Sequence, residues 1–137
     1  RLQVLVYPGL ERSKDRPSML EYGDGPSLTR ENIDWMKEQY LGSDTSLDTP
    51  YGVPALAEHL QRLPEALVVL AEADPLRDGG EAYADRLFAA GVQTTVMRYP
   101  GLVHGFLSHF TRLGRADRCV SDLADALRHR LARAEGG

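Results

Sequence analysis

Three short apolar runs, set between longer stretches of mixed composition, give the chain its pattern. Leu2–Tyr7 (LQVLVY) and Ala66–Ala71 (ALVVLA) are almost continuously apolar and rich in branched side chains. Such runs predict strands covered on both faces, as in a parallel sheet. Val92–Tyr99 alternates more between apolar and polar positions, as an edge strand does. Helical spacing fills the intervals. Ile33, Met36 and Tyr40 share one face of a helix that Thr29 can cap and that runs to about Leu41, with Trp35 off that stripe. Asp78 and Glu81 have capping-box spacing, which predicts a helix from Asp78 to Ala90 with Tyr83, Leu87 and Ala90 inward and Gly91 as its stop. A last helix is predicted over Arg115–Ala134, on an apolar stripe of Val120, Leu123, Ala124, Leu127 and Leu131. Arg128, Arg130 and Arg133 suit its C-terminal end. A short helix is predicted over Ala55–Leu63. Glu11–Pro26 and Gly42–Pro54, the latter with Asp44 and Asp48, read as loops, and Pro8–Gly9 and Pro100–Gly101 read as strand stops.

Strands alternating with helices predict βαβ units with right-handed crossovers. The class is α/β: a parallel sheet with flanking helices, three strands long, in which residues 1–137 form part of one domain. Leu2–Tyr7 is too apolar for a free edge and is expected to pair with a strand outside this chain. The chain also opens on Arg1 with no initiator methionine, so it reads as a piece of a longer polypeptide.

Composition narrows the function. Hydrophobic content of 42% and charged content of 26% in 137 residues describe an ordinary globular domain. The net charge is −4 and the basic residues are scattered, which argues against a nucleic-acid partner. No apolar run approaches the roughly 20 residues of a membrane span. Cys119 is the single cysteine, so no internal disulfide forms, and a reducing, cytoplasmic compartment is the expectation. No histidine–carboxylate set has metal-ligand spacing, and Gly79, Gly80, Gly101 and Gly105 do not form a phosphate loop. Neither metal nor cofactor is expected. Trp35 and Met36 are residue types more often found in cores than in pockets. His59, His109 and His129 have no partner pattern and read as surface or packing residues.

The chemistry concentrates at two strand ends. Asp74 follows the second predicted strand and His104 follows the third. Open parallel sheets carry their functional groups outside the carboxyl ends of their strands. An aspartate there can accept from an imidazole Nδ1–H, fix its tautomer and stabilise the imidazolium that forms on proton uptake. Each residue has a plainer reading: Asp74 as a turn residue before Pro75, His104 as a solvated loop histidine. Asp78 reads as a helix cap. The placement at consecutive strand ends is what favours an acid–base pair.

The motifs around these residues resemble the hormone-sensitive-lipase-like branch of the α/β-hydrolase fold. ADPLRDGGEAY at Ala73–Tyr83 is similar to that family's acid-bearing motif, which puts the triad acid on Asp74. YPGLVHGF at Tyr99–Phe106 is similar to the motif carrying the triad base, which puts it on His104. QVLVYP resembles the family's sixth strand, and LTRENIDWMKEQYL a helix lining the acyl side of its pocket. The resemblance implies a carboxylic-ester hydrolase for small acyl esters, with Trp35, Met36 and Phe106 as pocket-wall candidates. The family's Gly-x-Ser-x-Gly elbow and its His-Gly-Gly loop do not occur in this sequence; in family order both precede the aspartate. The chain thus looks like a C-terminal half. Its expected partners are an ester substrate and the missing half or a second chain along the first strand. Two other readings stay open: a non-catalytic binding module on a hydrolase fold, and a serine peptidase of the prolyl-oligopeptidase kind, which DPLRD fits less well.

Overall fold

The computed structural model describes residues 1–42, 48–108 and 114–135. The elements are β1 (Leu2–Val6), α1 (Pro17–Tyr22), α2 (Arg30–Leu41), β2 (Glu65–Ala73), α3 (Arg77–Ala89), β3 (Thr94–Val103) and α4 (Gly114–Glu135). The three strands form one parallel sheet in the order β1-β2-β3, so β2 is central.

Centrality explains the burial of β2. Ala66 through Ala71 are each at most 1% exposed. Side chains alternate across the sheet. Ala66, Val68 and Leu70 pack with Tyr83, Ala84 and Leu87 of α3, while Val69 and Ala71 pack with Phe106 and with Ala116 and Cys119 of α4. Each large aliphatic side chain so buried contributes about 1.5–3 kcal/mol. Among the described residues β1 pairs on one side only, with Leu2 opposite Glu65 and Val6 opposite Val69. Its five residues are accordingly half-buried rather than covered on both faces. A third, small cluster joins Met19, Leu28 and Ile33, against which Leu76 packs.

Several sequence expectations need correction. Within the predicted loop Glu11–Pro26, Pro17–Tyr22 is helical: Pro17 is favourable at the first position, and the carboxylate of Asp78 accepts the Ser18 N–H at 2.8 Å. Asp78 is therefore not the cap of its own helix. α3 begins one residue earlier, at Arg77, with Leu76 at the cap position and no side-chain cap. Asp78 serves α1 instead, and the Ser18 hydroxyl accepts the Asp78 N–H in return. The predicted helix Ala55–Leu63 shrinks to a 3₁₀ turn at Pro54–Leu56, where the Arg86 guanidinium donates to the Ala55 and Ala57 carbonyls. Pro100 and Gly101 do not end β3. The ladder slips between Ala71 and Ala73, and β3 bulges through Gly101 at φ +72 before pairing again at Val103. Gly101 donates its N–H to Glu72 Oε2 at 2.9 Å. On α4 the buried positions are Ala116 and Cys119, with Leu123 half-buried, whereas Val120 is exposed. The inward stripe thus runs through the small residues that let the helix approach the sheet. Asp44 and His109 lie outside the described residues, as do the side chains of Leu41, Leu131 and Arg133.

Other expectations match. Thr29 caps α2 through a reciprocal box with Asn32. Tyr83 and Leu87 are buried on α3, and Gly91 follows its end at φ +79.

Candidate active site

β2 ends at Ala73, and the chain must then turn into α3. Asp74 makes that turn. Its Oδ1 accepts the Leu76 N–H at 2.8 Å, and its carbonyl accepts the Arg77 N–H at 3.1 Å. Arg77 also reaches back to the Glu72 carbonyl at 2.9 Å. The second carboxylate oxygen, Oδ2, is left free of the turn and lies 2.8 Å from Nδ1 of His104. Both readings of Asp74 therefore hold at once: one oxygen builds the turn and the other meets the imidazole.

The β3 bulge delivers His104 to that oxygen. Val103 is the last paired residue, and Gly105, at φ +75, bends the chain away directly after the histidine. The His104 carbonyl accepts the Ser27 hydroxyl at 2.7 Å, which ties the loop before α2 to the site. The Tyr7 ring stands against the imidazole, with centroids 4.7 Å apart and planes at 60°.

Exposure is unequal across the pair. Asp74 is 1% exposed, whereas the His104 side chain is 23% exposed. A carboxylate is an acceptor only, so Nδ1 carries the proton and Nε2 presents its lone pair. Among the described residues Nε2 has no hydrogen-bond partner. Such an imidazole can take a proton at Nε2 while the buried carboxylate stabilises the cation that results.

The pocket-wall candidates separate. Met36 lines an apolar groove of about 240 Å³ with Gly9, Ile33, Lys37, Tyr40 and Leu76. Leu76 is also the residue whose N–H Asp74 Oδ1 accepts. Burial lowers the Lys37 ammonium from its ordinary value at this groove, with Asp34 opposing the shift. Trp35 is 62% exposed and lines no part of the groove. Phe106 is fully buried against Tyr7 and Tyr99 and is a core residue, not a cavity wall. His59 and His129 are exposed. Sequence reasoning missed Tyr7, Ser27 and Ser18. For Tyr7 a signal existed: it stands at a strand's carboxyl end, where a parallel sheet gathers its functional groups. Ser27 and Ser18 sit in polar loop sequence that carries no such signal.

Among the described residues, no helix is long and apolar enough to cross a membrane. A model of the alpha/beta hydrolase fold matches residues 1–108. The chain is 41% identical over 133 residues to the carboxylic ester hydrolase LipN of Mycobacterium tuberculosis, covering 96% of this chain and 35% of that protein. It is 34% identical over 131 residues to an ethyl acetate hydrolase of Pseudomonas putida, covering 96% of this chain and 41% of that one. A hyperthermophilic esterase from the archaeon Pyrobaculum calidifontis superposes with a TM-score of 0.88 at 35% identity, over 96% of this chain and 44% of the esterase. The chain thus spans well under half the length of the relatives it matches.

Proposed function

The chain belongs to the hormone-sensitive-lipase-like branch of the α/β-hydrolase family, and from that premise we propose that it is the acid–base part of a carboxylic-ester hydrolase acting on small acyl esters. The observation that carries this reading is the 2.8 Å pairing of His104 with Asp74 at the carboxyl ends of adjacent strands.

The chemistry follows from the pair. A serine hydroxyl supplied from outside these 137 residues attacks the ester carbonyl. His104 Nε2 takes the hydroxyl proton as the carbon–oxygen bond forms and passes it to the departing alkoxide, which leaves as the alcohol. Water then attacks the acyl carbonyl carbon as His104 takes its proton, the acyl–serine bond breaks, the serine oxygen recovers that proton from His104, and the carboxylic acid leaves. Asp74 holds the imidazolium through the Nδ1 hydrogen bond. Donors for the oxyanion, also outside this sequence, would stabilise the tetrahedral intermediates. The unpaired side of β1 is where the rest of the sheet, or a second chain, would join. The 137 residues by themselves would not turn over an ester, because nucleophile and oxyanion donors are both needed for rate.

Fluorophosphonate labelling of the native protein, followed by peptide mapping, tests the reading. A labelled serine outside these residues, with labelling lost in His104→Ala, supports it. Folded protein that takes no label overturns it and leaves a binding module. A serine outside these residues that labels as fast in His104→Ala as in the parent also overturns it, because His104 would then not be the base.

A further inference from the structure

Tyr7 is the one described residue other than glycine with a positive φ, +34°. L side chains seldom adopt that region, and such outliers gather where a neighbouring group needs exact placing. The strain is local. The Tyr7 N–H still donates to the Val69 carbonyl at 2.7 Å, so the chain remains in the sheet up to this amide. Only then does it turn into Pro8. The turn sends the phenol ring across the end of β2 to meet His104 at 4.7 Å, with the buried Phe106 ring 5.7 Å behind it in an edge-on contact.

The imidazole needs such a contact. One hydrogen bond from Nδ1 to Asp74 leaves the ring free to swing about that bond. Ser27 holds the backbone carbonyl of His104, not its ring. Gly105 beside it adds no side chain. Burial raises the Tyr7 phenol above its ordinary value, with Cys119 and Asp74 adding to the effect, so the ring is uncharged at neutral pH. Its influence is that of an uncharged wall.

We propose that Tyr7 is a positioning residue for His104: its ring, set by the positive-φ turn at the end of β1, fixes the imidazole plane so that Nδ1 faces Asp74 and Nε2 faces outward. The proposal rests on the reading of His104 as the base. It makes the left-handed turn at Tyr7 part of the site's construction.

The experiment uses the full polypeptide that carries this chain, with ¹⁵N-labelled histidine, and follows the low-field Nδ1–H proton of His104 beside p-nitrophenyl butyrate kinetics. Tyr7→Phe keeps the ring and is expected to keep the resonance and kcat. Tyr7→Leu is expected to broaden or lose the resonance and to lower kcat about 10- to 100-fold with KM little changed, the scale set by small misplacements of a catalytic group. Tyr7→Gly accepts the positive φ without strain and serves as the folded, ringless variant if Tyr7→Leu does not fold. An intact resonance and unchanged kcat in a folded ringless variant would overturn the proposal. So would a loss in Tyr7→Phe equal to that in Tyr7→Leu, since the hydroxyl would then be responsible. Asp74→Asn separates the two levels: a resonance that survives it sinks the acid–base pairing itself, whatever Tyr7 does.

Discussion

Oδ2 of Asp74 lies 2.8 Å from Nδ1 of His104, across the gap between two adjacent parallel strands. Asp74 is buried and His104 reaches solvent, so the pair points in one direction, from the core outward. That polarity follows from the bulge in β3. A regular strand would have kept Pro100 and Gly101 in register with β2. The two-residue slip after Ala71 is what brings His104 level with the turn at Asp74.

Asp74→Asn should separate the two jobs of this side chain. The amide oxygen can still accept the Leu76 N–H, so the turn into α3 and the fold should persist. The charge that holds the imidazolium is lost. Ester hydrolysis by the full protein should fall about 10⁴-fold in kcat, the scale of a triad without its acid. Thermal melting near that of the parent, with kcat collapsed, is the expected pattern. A kcat within tenfold of the parent would remove Asp74 from the mechanism.

Asp78 should govern stability at acid pH. Burial alone would raise its pKa, but the Ser18 N–H at 2.8 Å and the Arg77 guanidinium at 2.9 Å outweigh burial and hold it below the ordinary value. A depressed folded pKa contributes stability that is present above the unfolded pKa of about 3.9 and is lost as pH falls through the folded value. Asp78→Asn should therefore cost about 1–3 kcal/mol near neutral pH, the range for a charge-assisted bond lost from a partly buried site. The difference from the parent should narrow below about pH 4. Urea melts at several pH values would show it; a gap that stays constant down to pH 3 would contradict it.

Legibility in the sequence followed how local each determinant is. β2 was plain because a central strand is apolar on both faces, and six consecutive buried residues leave an unmistakable run. Asp74 could be placed because the apolar run of β2 ends just before it, whereas His104 was placed at a strand end although Pro100 and Gly101, read as the stop, lie inside β3. α1 was not, since its start depends on a carboxylate sixty residues away, Asp78 on Ser18. The same long-range bond drew Asp78 away from the capping role its spacing suggested. Val120 has the right period for the α4 stripe, yet helix-to-sheet distance decides the register, and the smaller Ala116 and Cys119 win. Phe106 was a pocket-wall candidate by family resemblance, but the turn at Gly105 swings it into the core against Tyr7 and Tyr99.

Gly80 should tolerate no side chain. A Cβ there would stand 2.6 Å from Leu70 Cδ2, and Leu70 is 1% exposed, so its side chain would have to shift against its packed core neighbours. Replacing a helical glycine by alanine would ordinarily gain about 1 kcal/mol in propensity. Overpacking at this contact should cost about 1–3 kcal/mol and reverse the sign. At neighbouring Gly79 the nearest atoms belong to the Glu11 side chain, at 3.1 Å, so the same change should cost less. Denaturant midpoints of the two alanine variants check the order, and an equal or larger loss at Gly79 would show that the Leu70 contact does not limit the approach of α3.

Met36 and Trp35 are neighbours on α2 and should behave differently toward substrate. Met36 lines the apolar groove that also includes Leu76; Trp35 does not. If the acyl chain occupies this groove, each methylene buried there is worth about 0.8 kcal/mol, or roughly fourfold in affinity. Met36→Ala should then raise KM for a hexanoyl ester more than for an acetyl ester, because only the longer chain reaches the lost surface. Trp35→Ala should leave both values within about twofold, as expected for an exposed side chain away from the groove. The comparison is made on one series of p-nitrophenyl esters with the full protein. A chain-length dependence that moves with Trp35 and not with Met36 would place the acyl group on the other side of α2.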